Sequence, residues 1–375
     1  MSRTATLSSA VPFAAVLAYL TGIVVTDLVT PSYLRLDVYA ALAPVTAAAV
    51  CTYRQTVFVG IADFLLMAAH HGVLGDDSSA VNRVGAVLGN LLIVGAAVVV
   101  ARLRRDGEAL LQRVRATGEA AQRALLRPLP LRTSGVVVDG FYVSSQHEAL
   151  VGGDIYEVVD TPYGARVLLG DVRGKGLGTL GAGAAVLSAF REAAYHRPDL
   201  AGGVVATEEG LYRYHRSAEY QARAHDAHAA EEFVTALVLG TEEEAGAVAL
   251  VFVDCGHPPP YLIRADGTVR ELEPAEQGLP LGLGELLPGR RPGRRIPLPP
   301  GGRVLACTDG VTEARAPGGG RELYPLAERL AGWAALPTAE LLAHLRADLA
   351  RHTGGRLQDD VAVLVLERAP VAASG

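Results

Sequence analysis

The chain predicts an α+β fold: an antiparallel β-sandwich flanked by paired helices, preceded by an all-α region of about four membrane-spanning helices. Three observations carry this. Charge is sparse before Arg102. After Pro128, short apolar runs at hairpin spacing alternate with helical stretches that come in pairs. Hairpins in series with segregated helices argue against a doubly wound parallel sheet.

The first hundred residues read as membrane material. Ser9 to Thr26, Val38 to Tyr53 and Val84 to Ala101 are uncharged, and Gln55 to Gly75 is interrupted only by Asp63. A soluble helical bundle would carry a polar stripe, and these runs carry almost none. Their lengths sit near the low end for a span, which gives four spans over residues 1–101. Apolar runs continue after the first, so a cleavable signal peptide is not expected. Arg102, Arg104, Arg105, Arg113 and Arg115 crowd behind the fourth run, and Arg54 lies between the second and third. That side is expected to be cytoplasmic, placing both termini and everything after residue 101 inside a multi-pass cell-membrane protein. Asp63 falls within the third run, and the reading preferred here is a solvated or interfacial carboxylate.

Residues 102–127 are polar and helical in pattern, a connector. Leu103, Leu110, Val114, Thr117, Ala121 and Ala124 trace a partial heptad seam. The seam fits either a weak parallel coiled coil, and with it a homodimer, or a lone solvated helix.

Residues 128–368 form the second domain. Strands are predicted at 136–144, 154–160, 165–172, 233–240, 246–254, 259–264, 268–273, 301–308 and 361–367 from β-branched runs bounded by turn residues. Asp266-Gly267 is a hairpin signal, and Asp139-Gly140 reads as a bulge or turn. Helices are predicted at 177–195, 203–227, 322–334 and 337–353.

Composition excludes several functions. The net charge of −6 argues against a nucleic-acid partner. Cys51, Cys255 and Cys307 are far apart and odd in number, which suits neither a disulfide framework nor a zinc site. His225 and His228 share a helix face without a third ligand nearby.

Four acidic motifs at the ends of β-like runs remain: Gly152-Gly153-Asp154, Gly170-Asp171-Val172-Arg173-Gly174, Thr308-Asp309-Gly310 and Asp359-Asp360. A fold that gathers them makes a self-repelling oxygen cluster, which selects hard cations such as Mg²⁺ or Mn²⁺.

The ordered series LLRPLP, VGGDIYEVV, RVLLGDVRGKGL, EFVTALVLG, DCGHPPPYL, GLPLGLG, LPPGGRVLACTDGVTEAR and LQDDVAVLVL resembles the SpoIIE-type branch of the PP2C (PPM) serine/threonine phosphatases over roughly residues 125–368. The resemblance implies a PP2C-like sandwich with a binuclear Mn²⁺ or Mg²⁺ centre between two sheets. It matches Asp171 to the metal-bridging carboxylate, Val172 to a backbone-carbonyl donor and Asp154 to a ligand of one metal. Asp309 and one of Asp359 and Asp360, with Asp359 preferred, match ligands of the other. Asp171, Asp154 and Asp309 are the implied catalytic set, acting through a metal-bridged hydroxide that attacks phosphorus in line. The implied substrate is a phosphorylated regulatory protein, such as an anti-sigma-factor antagonist. His257, in Gly256-His257-Pro258-Pro259, is read as a turn residue that bonds a backbone group. Arg173 stands where larger relatives carry a His, and Lys175 where the branch often has one, so either could steer phosphate or be a solvated turn residue. Two other functions are weighed against this one. A membrane sensor or scaffold with a vestigial phosphatase half would be expected to have lost an acidic position. A nucleotide cyclase would need Glu-Phe after Gly-Gly-Asp, where this chain has Ile155-Tyr156.

Overall fold

The structure is a computed structural model, and it describes residues 3–29, 37–73, 80–133, 135–145, 152–174, 177–224, 232–244, 247–264, 266–286, 291–317 and 322–368. The chain divides into two compact units, residues 1–114 and 115–375.

The first unit is helical: α1 (Arg3–Val29), α2 (Asp37–Ala40), α3 (Leu42–Val50), α4 (Tyr53–Val73) and the first part of α5 (Ala80–Leu125). Its interior is built of small residues, with Ala40, Ala43 and Ala47 packing on Val16, Leu20 and Val59. Large apolar side chains point outward instead, among them Phe58, Ile61, Leu65, Leu88, Leu92 and Val99. Water would penalise such a surface, and a lipid phase would not.

The run from Val38 to Tyr53, expected as one span, is not one continuous helix. It is broken between α2 and α3, and the physical cause is Pro44, which has no N–H for the Ala40 carbonyl and crowds it. The nine residues of α3 rise only about 14 Å, half the hydrocarbon thickness. Among the described residues one helical stretch, within Val84–Gln122 of α5, is long and apolar enough to cross a membrane; the apolar part of α1, Ala10–Thr26, is shorter. Asp63 also departs from expectation. It is fully buried, and Asn90 of α5 donates to its Oδ2 at 2.8 Å. Two polar side chains on facing helices thus share one hydrogen bond, while Asp63 Oδ1 and Asn90 Oδ1 are buried with no partner among the described residues.

The second unit is a four-layer sandwich. One sheet has six strands in the order β1-β2-β11-β10-β7-β8, and the other has five in the order β3-β4-β5-β6-β9. Their ranges are β1 (Leu131–Arg132), β2 (Val136–Val143), β3 (Asp154–Thr161), β4 (Gly164–Val172), β5 (Val234–Glu244), β6 (Ala247–Cys255), β7 (Tyr261–Ile263), β8 (Val269–Glu271), β9 (Arg294–Pro297), β10 (Arg303–Cys307) and β11 (Val361–Arg368). Neighbouring strands all run antiparallel. Alternate residues of each strand meet between the sheets, including Val138, Val158, Val167, Leu169, Leu239, Phe252, Ala306 and Leu364. On the outer face of the five-stranded sheet lie α6 (Leu177–His196) and α7 (Leu200–Ala224), sealed by Leu168, Val172, Leu187 and Leu211. The six-stranded sheet carries α9 (Leu326–Trp333) and α10 (Thr338–His352), over Leu305, Val363, Leu330 and Leu345. A one-turn helix, α8 (Asp309–Thr312), follows β10.

Asp139-Gly140 is neither bulge nor turn. Both residues lie in β2, where Gly140 pairs with Leu364. A Cβ at position 140 would run into the Val363 carbonyl, so the glycine serves a close strand approach. The short strands β1 and β9 and the helix α8 carry too few residues to leave a periodic signal.

Candidate metal centre and active site

Strand parity places the acids. In β3, Tyr156 and Val158 enter the inter-sheet core, so Asp154 at the strand's start shares their side. In β4, Val167 and Leu169 do the same, and Asp171 follows by the same alternation. Asp154 and Asp171 are direct cross-strand partners. On the opposite sheet, Asp309 follows the end of β10 and the pair Asp359-Asp360 precedes β11, which pairs with β10. Four motifs spread over more than two hundred residues thus meet at one end of the sandwich.

Each carboxylate has a distinct environment. Asp154 is buried, and Thr308 Oγ1 donates to its Oδ2 at 2.7 Å. Burial and the neighbouring Asp171 charge push its pKa well above the usual carboxylate range. Asp171 is raised to about 7 by burial first, then by Asp309, Asp359 and Asp360. Asp309 is raised by burial and by Asp359 and Glu313. Asp360 is raised by burial, against the hydrogen bonds it accepts. Those bonds occupy both of its oxygens: Oδ1 accepts from Ser144 Oγ at 3.1 Å and Ser145 N at 2.8 Å, and Oδ2 accepts from Gly153 N at 2.8 Å. Asp359 differs. Its Oδ1 accepts from the Asp360 backbone at 2.8 Å, and the residue lines an open cleft of ≈ 360 Å³ with Asp309, Glu313, Arg315 and Gln358.

The remaining expected residues separate. Val172 is buried, its N–H donating to Gly153 O at 3.0 Å. Arg173 is exposed and lies over the Phe233 ring at 4.8 Å. His257 is buried in the turn, its Nδ1 meets the Thr235 hydroxyl at 3.1 Å, and the Cys307 backbone is a further partner of the ring. Burial drives it down to about 3, so it is neutral at pH 7. Lys175, His225 and His228 lie outside the described residues.

The donor set fits divalent cations in kind. It is all oxygen, it carries several mutually repelling carboxylates, and it has a cradle with no room for a side chain at Gly153. A Cβ there would collide with Asp171 Oδ1 and come within 2.9 Å of the Val172 carbonyl. Two hard donors therefore converge on the bare face of a glycine. Among the described residues no three Asp, Glu, His or Cys side chains close round one point as they stand. Asp309 and Asp359 line a cleft, and a bound cation would relieve the repulsion among the acids without their taking up protons.

Sequence reasoning missed Thr308, the serines that hold Asp360, and Gln122. Thr308 and the cleft residue Arg315 lie inside the TDGVTEAR motif and were within reach. Gln122 is one polar residue on a polar helix, with no local signal at all.

Two antiparallel sheets with outer helix pairs, and acidic strand ends gathered at one edge, define a PP2C-type phosphatase domain. The fold matches the SiaA-PP2C domain of Pseudomonas aeruginosa with a TM-score of 0.53 at 20% identity, over 72% of this chain and 98% of that one. The chain belongs to the family of Stage II sporulation protein E (SpoIIE), which matches residues 161–369. It is also similar to the RsbU and RsbW domains of a Mycobacterium tuberculosis protein at 24% identity and a TM-score of 0.48, over 63% of this chain and 61% of that one. The phosphatase domain and regulatory-domain fragment of Bacillus subtilis SpoIIE give 15% identity and a TM-score of 0.47, over 63% and 64%. The chain thus spans less than two thirds of the length of these last two.

Proposed function

We propose that this chain is a membrane-tethered, metal-dependent phosphatase that hydrolyses phosphoserine or phosphothreonine on a regulatory protein. The observation that carries the proposal is the meeting of Asp154, Asp171, Asp309 and Asp359 at one end of a PP2C-type sandwich, beside a cleft. Asp171 and the Val172 carbonyl, with Asp154, are the proposed holders of one ion; Asp309 and Asp359, with Asp171 shared, are the proposed holders of the second. Asp360 is assigned as the brace of the Gly152–Asp154 segment, because both of its oxygens are already engaged. When bound, Mn²⁺ or Mg²⁺ would offset the charge of the phosphate and lower the pKa of an attacking water.

The chain's own residues supply the rest. The thiol of Cys307 is pushed up to about 12 by burial and that of Cys255 likewise, so neither is a nucleophile at neutral pH. Arg315 gives the cleft a cation suited to a phosphorylated segment. The outward apolar side chains of the first unit support the membrane assignment, and Arg102, Arg104 and Arg105 at the foot of the apolar stretch support a cytoplasmic catalytic unit. Leu103 and Leu110 are exposed on α5, which supports pairing with a second copy through this seam.

Full-length protein in detergent, given a phosphoserine-bearing regulatory protein and Mn²⁺, should release phosphate, and chelation should stop it. Binding of the phosphoprotein without phosphate release at any Mn²⁺ or Mg²⁺ concentration would turn the assignment to a vestigial scaffold.

A further inference from the structure

We infer that Gln122 is a positioning residue that holds the Gly152–Asp154 segment in its metal-receiving shape. The inference rests on the phosphatase reading above and deepens it. Gln122 lies on the last turn of α5 and is 3% exposed. Its carboxamide spans the segment: Oε1 accepts from Gly152 N at 3.2 Å, and Nε2 donates to Asp154 O at 3.1 Å. One rigid planar group therefore fixes the backbone on both sides of Gly153.

Among the described residues, the other ties to this segment come from the sheets or the turns at their ends. Asp360 takes the Gly153 N–H, Val172 N–H goes to Gly153 O, and Thr308 holds the Asp154 carboxylate. Gln122 is the contribution of α5. Its chemistry leaves no freedom of substitution. The backbone N–H of Gly152 can only donate and the carbonyl of Asp154 can only accept, so the position needs an acceptor and a donor on one plane. Glutamate matches the size but sets a lone pair against the Asp154 carbonyl and adds charge beside a cluster already crowded with it. Methionine matches the size and makes neither bond. Without the clamp, Gly152 and Gly153 regain backbone freedom, and Asp154 and the cradle between Asp171 Oδ1 and Val172 O lose their fixed spacing.

The end of α5 has independent anchors. Arg191 Nη2 donates to Leu125 O at 3.1 Å, and Tyr156 Oη donates to Arg127 O at 2.7 Å. These remain when Gln122 is changed, so the helix should stay docked.

The test is Mn²⁺ titration of the full-length protein in detergent, read by the electron paramagnetic resonance of free Mn²⁺, beside phosphatase activity as a function of Mn²⁺. Gln122→Met should weaken Mn²⁺ binding about tenfold, with the Mn²⁺ concentration for half-maximal rate rising in step. The rate at saturating Mn²⁺ should stay within about threefold, since the reacting groups are untouched. Gln122→Glu, of equal size, serves as second variant and should bind Mn²⁺ at least as poorly if Gln122→Met does not fold. Wild-type Mn²⁺ affinity in a folded Gln122→Met or Gln122→Glu protein overturns the inference while leaving the phosphatase reading intact. A wild-type protein that binds no Mn²⁺ and releases no phosphate overturns both.

Discussion

Thr308 and Asp154, 154 positions apart, are joined by a hydrogen bond of 2.7 Å from the threonine hydroxyl to the carboxylate. The same hydroxyl accepts the Ala362 N–H at 2.9 Å. One side chain therefore ties the Gly-Gly-Asp motif of one sheet to two adjacent strands of the other. Asp309, the next residue, is set in the cleft by the same local geometry. The two sheets cannot slide past each other without breaking this bond, so the spacing of the acids is part of the core packing.

Asp359 and Asp360, adjacent in sequence, should fail in different ways. Asp359→Asn should keep wild-type stability and lose activity, because its carboxylate faces the cleft. Asp360→Ala removes the acceptor for Ser144, Ser145 and Gly153 and should cost about 3 kcal/mol. Urea unfolding of the full chain in detergent separates the two. Equal destabilisation by both substitutions would contradict the assignment.

Asp171→Asn should abolish phosphate release, since the shared carboxylate loses its charge. Without metal, the same variant should be as stable as wild type or more so, because a buried, repelled carboxylate is gone. Saturating Mn²⁺, at about 100 times Kd, should raise wild-type stability by about 2.7 kcal/mol. A thermal melt with and without Mn²⁺ reads both effects, and Asp171→Asn should show most of that rise missing.

His257 gives a pH signature. Its folded-state value of about 3 lies below the ordinary 6.5, so the unfolded chain binds a proton that the native one does not as pH falls below 6.5. Stability from this group is complete above pH 6.5 and drains away toward pH 3. Between pH 6.5 and 5 the loss should be about 2 kcal/mol. Denaturation of His257→Gln across that window should show a correspondingly flatter pH dependence; identical slopes would mean that the imidazole is not held neutral.

Topology should follow the arginines. Reporters fused after Ala101 and after Gly375 should both read as cytoplasmic, and one at position 76 as external. Cytoplasmic signal at position 76 would mean that the apolar helices do not cross as expected.

Much of this protein was legible without coordinates. Short apolar runs such as Val167–Leu169, bounded by turn residues, mark the strands, but β4 is buried on both faces, so the side on which Asp171 emerges was decided by the packed sheets. The acidic motifs carry the expectation of an oxygen-rich cation site, because gathered carboxylates repel one another unless cations or protons neutralise them. What local pattern cannot encode is which partner satisfies which atom. Asp359 and Asp360 are chemically identical in sequence, and only the positions of Ser144, Ser145 and Gly153 make one a brace and leave the other in the cleft. Pro44 was visible as a residue, yet its break of the second apolar run needed backbone geometry. Asp63 was read as solvated because sequence shows a lone acid in an apolar run; burial against Asn90 is a fact about two helices meeting. The grip of Gln122 on the Gly152–Asp154 segment joins positions thirty residues apart, through one amide that no periodicity marks. Sequence determined the elements because burial is periodic, whereas the tertiary structure decided the site because hydrogen bonds are made between particular atoms that only the packed chain brings together.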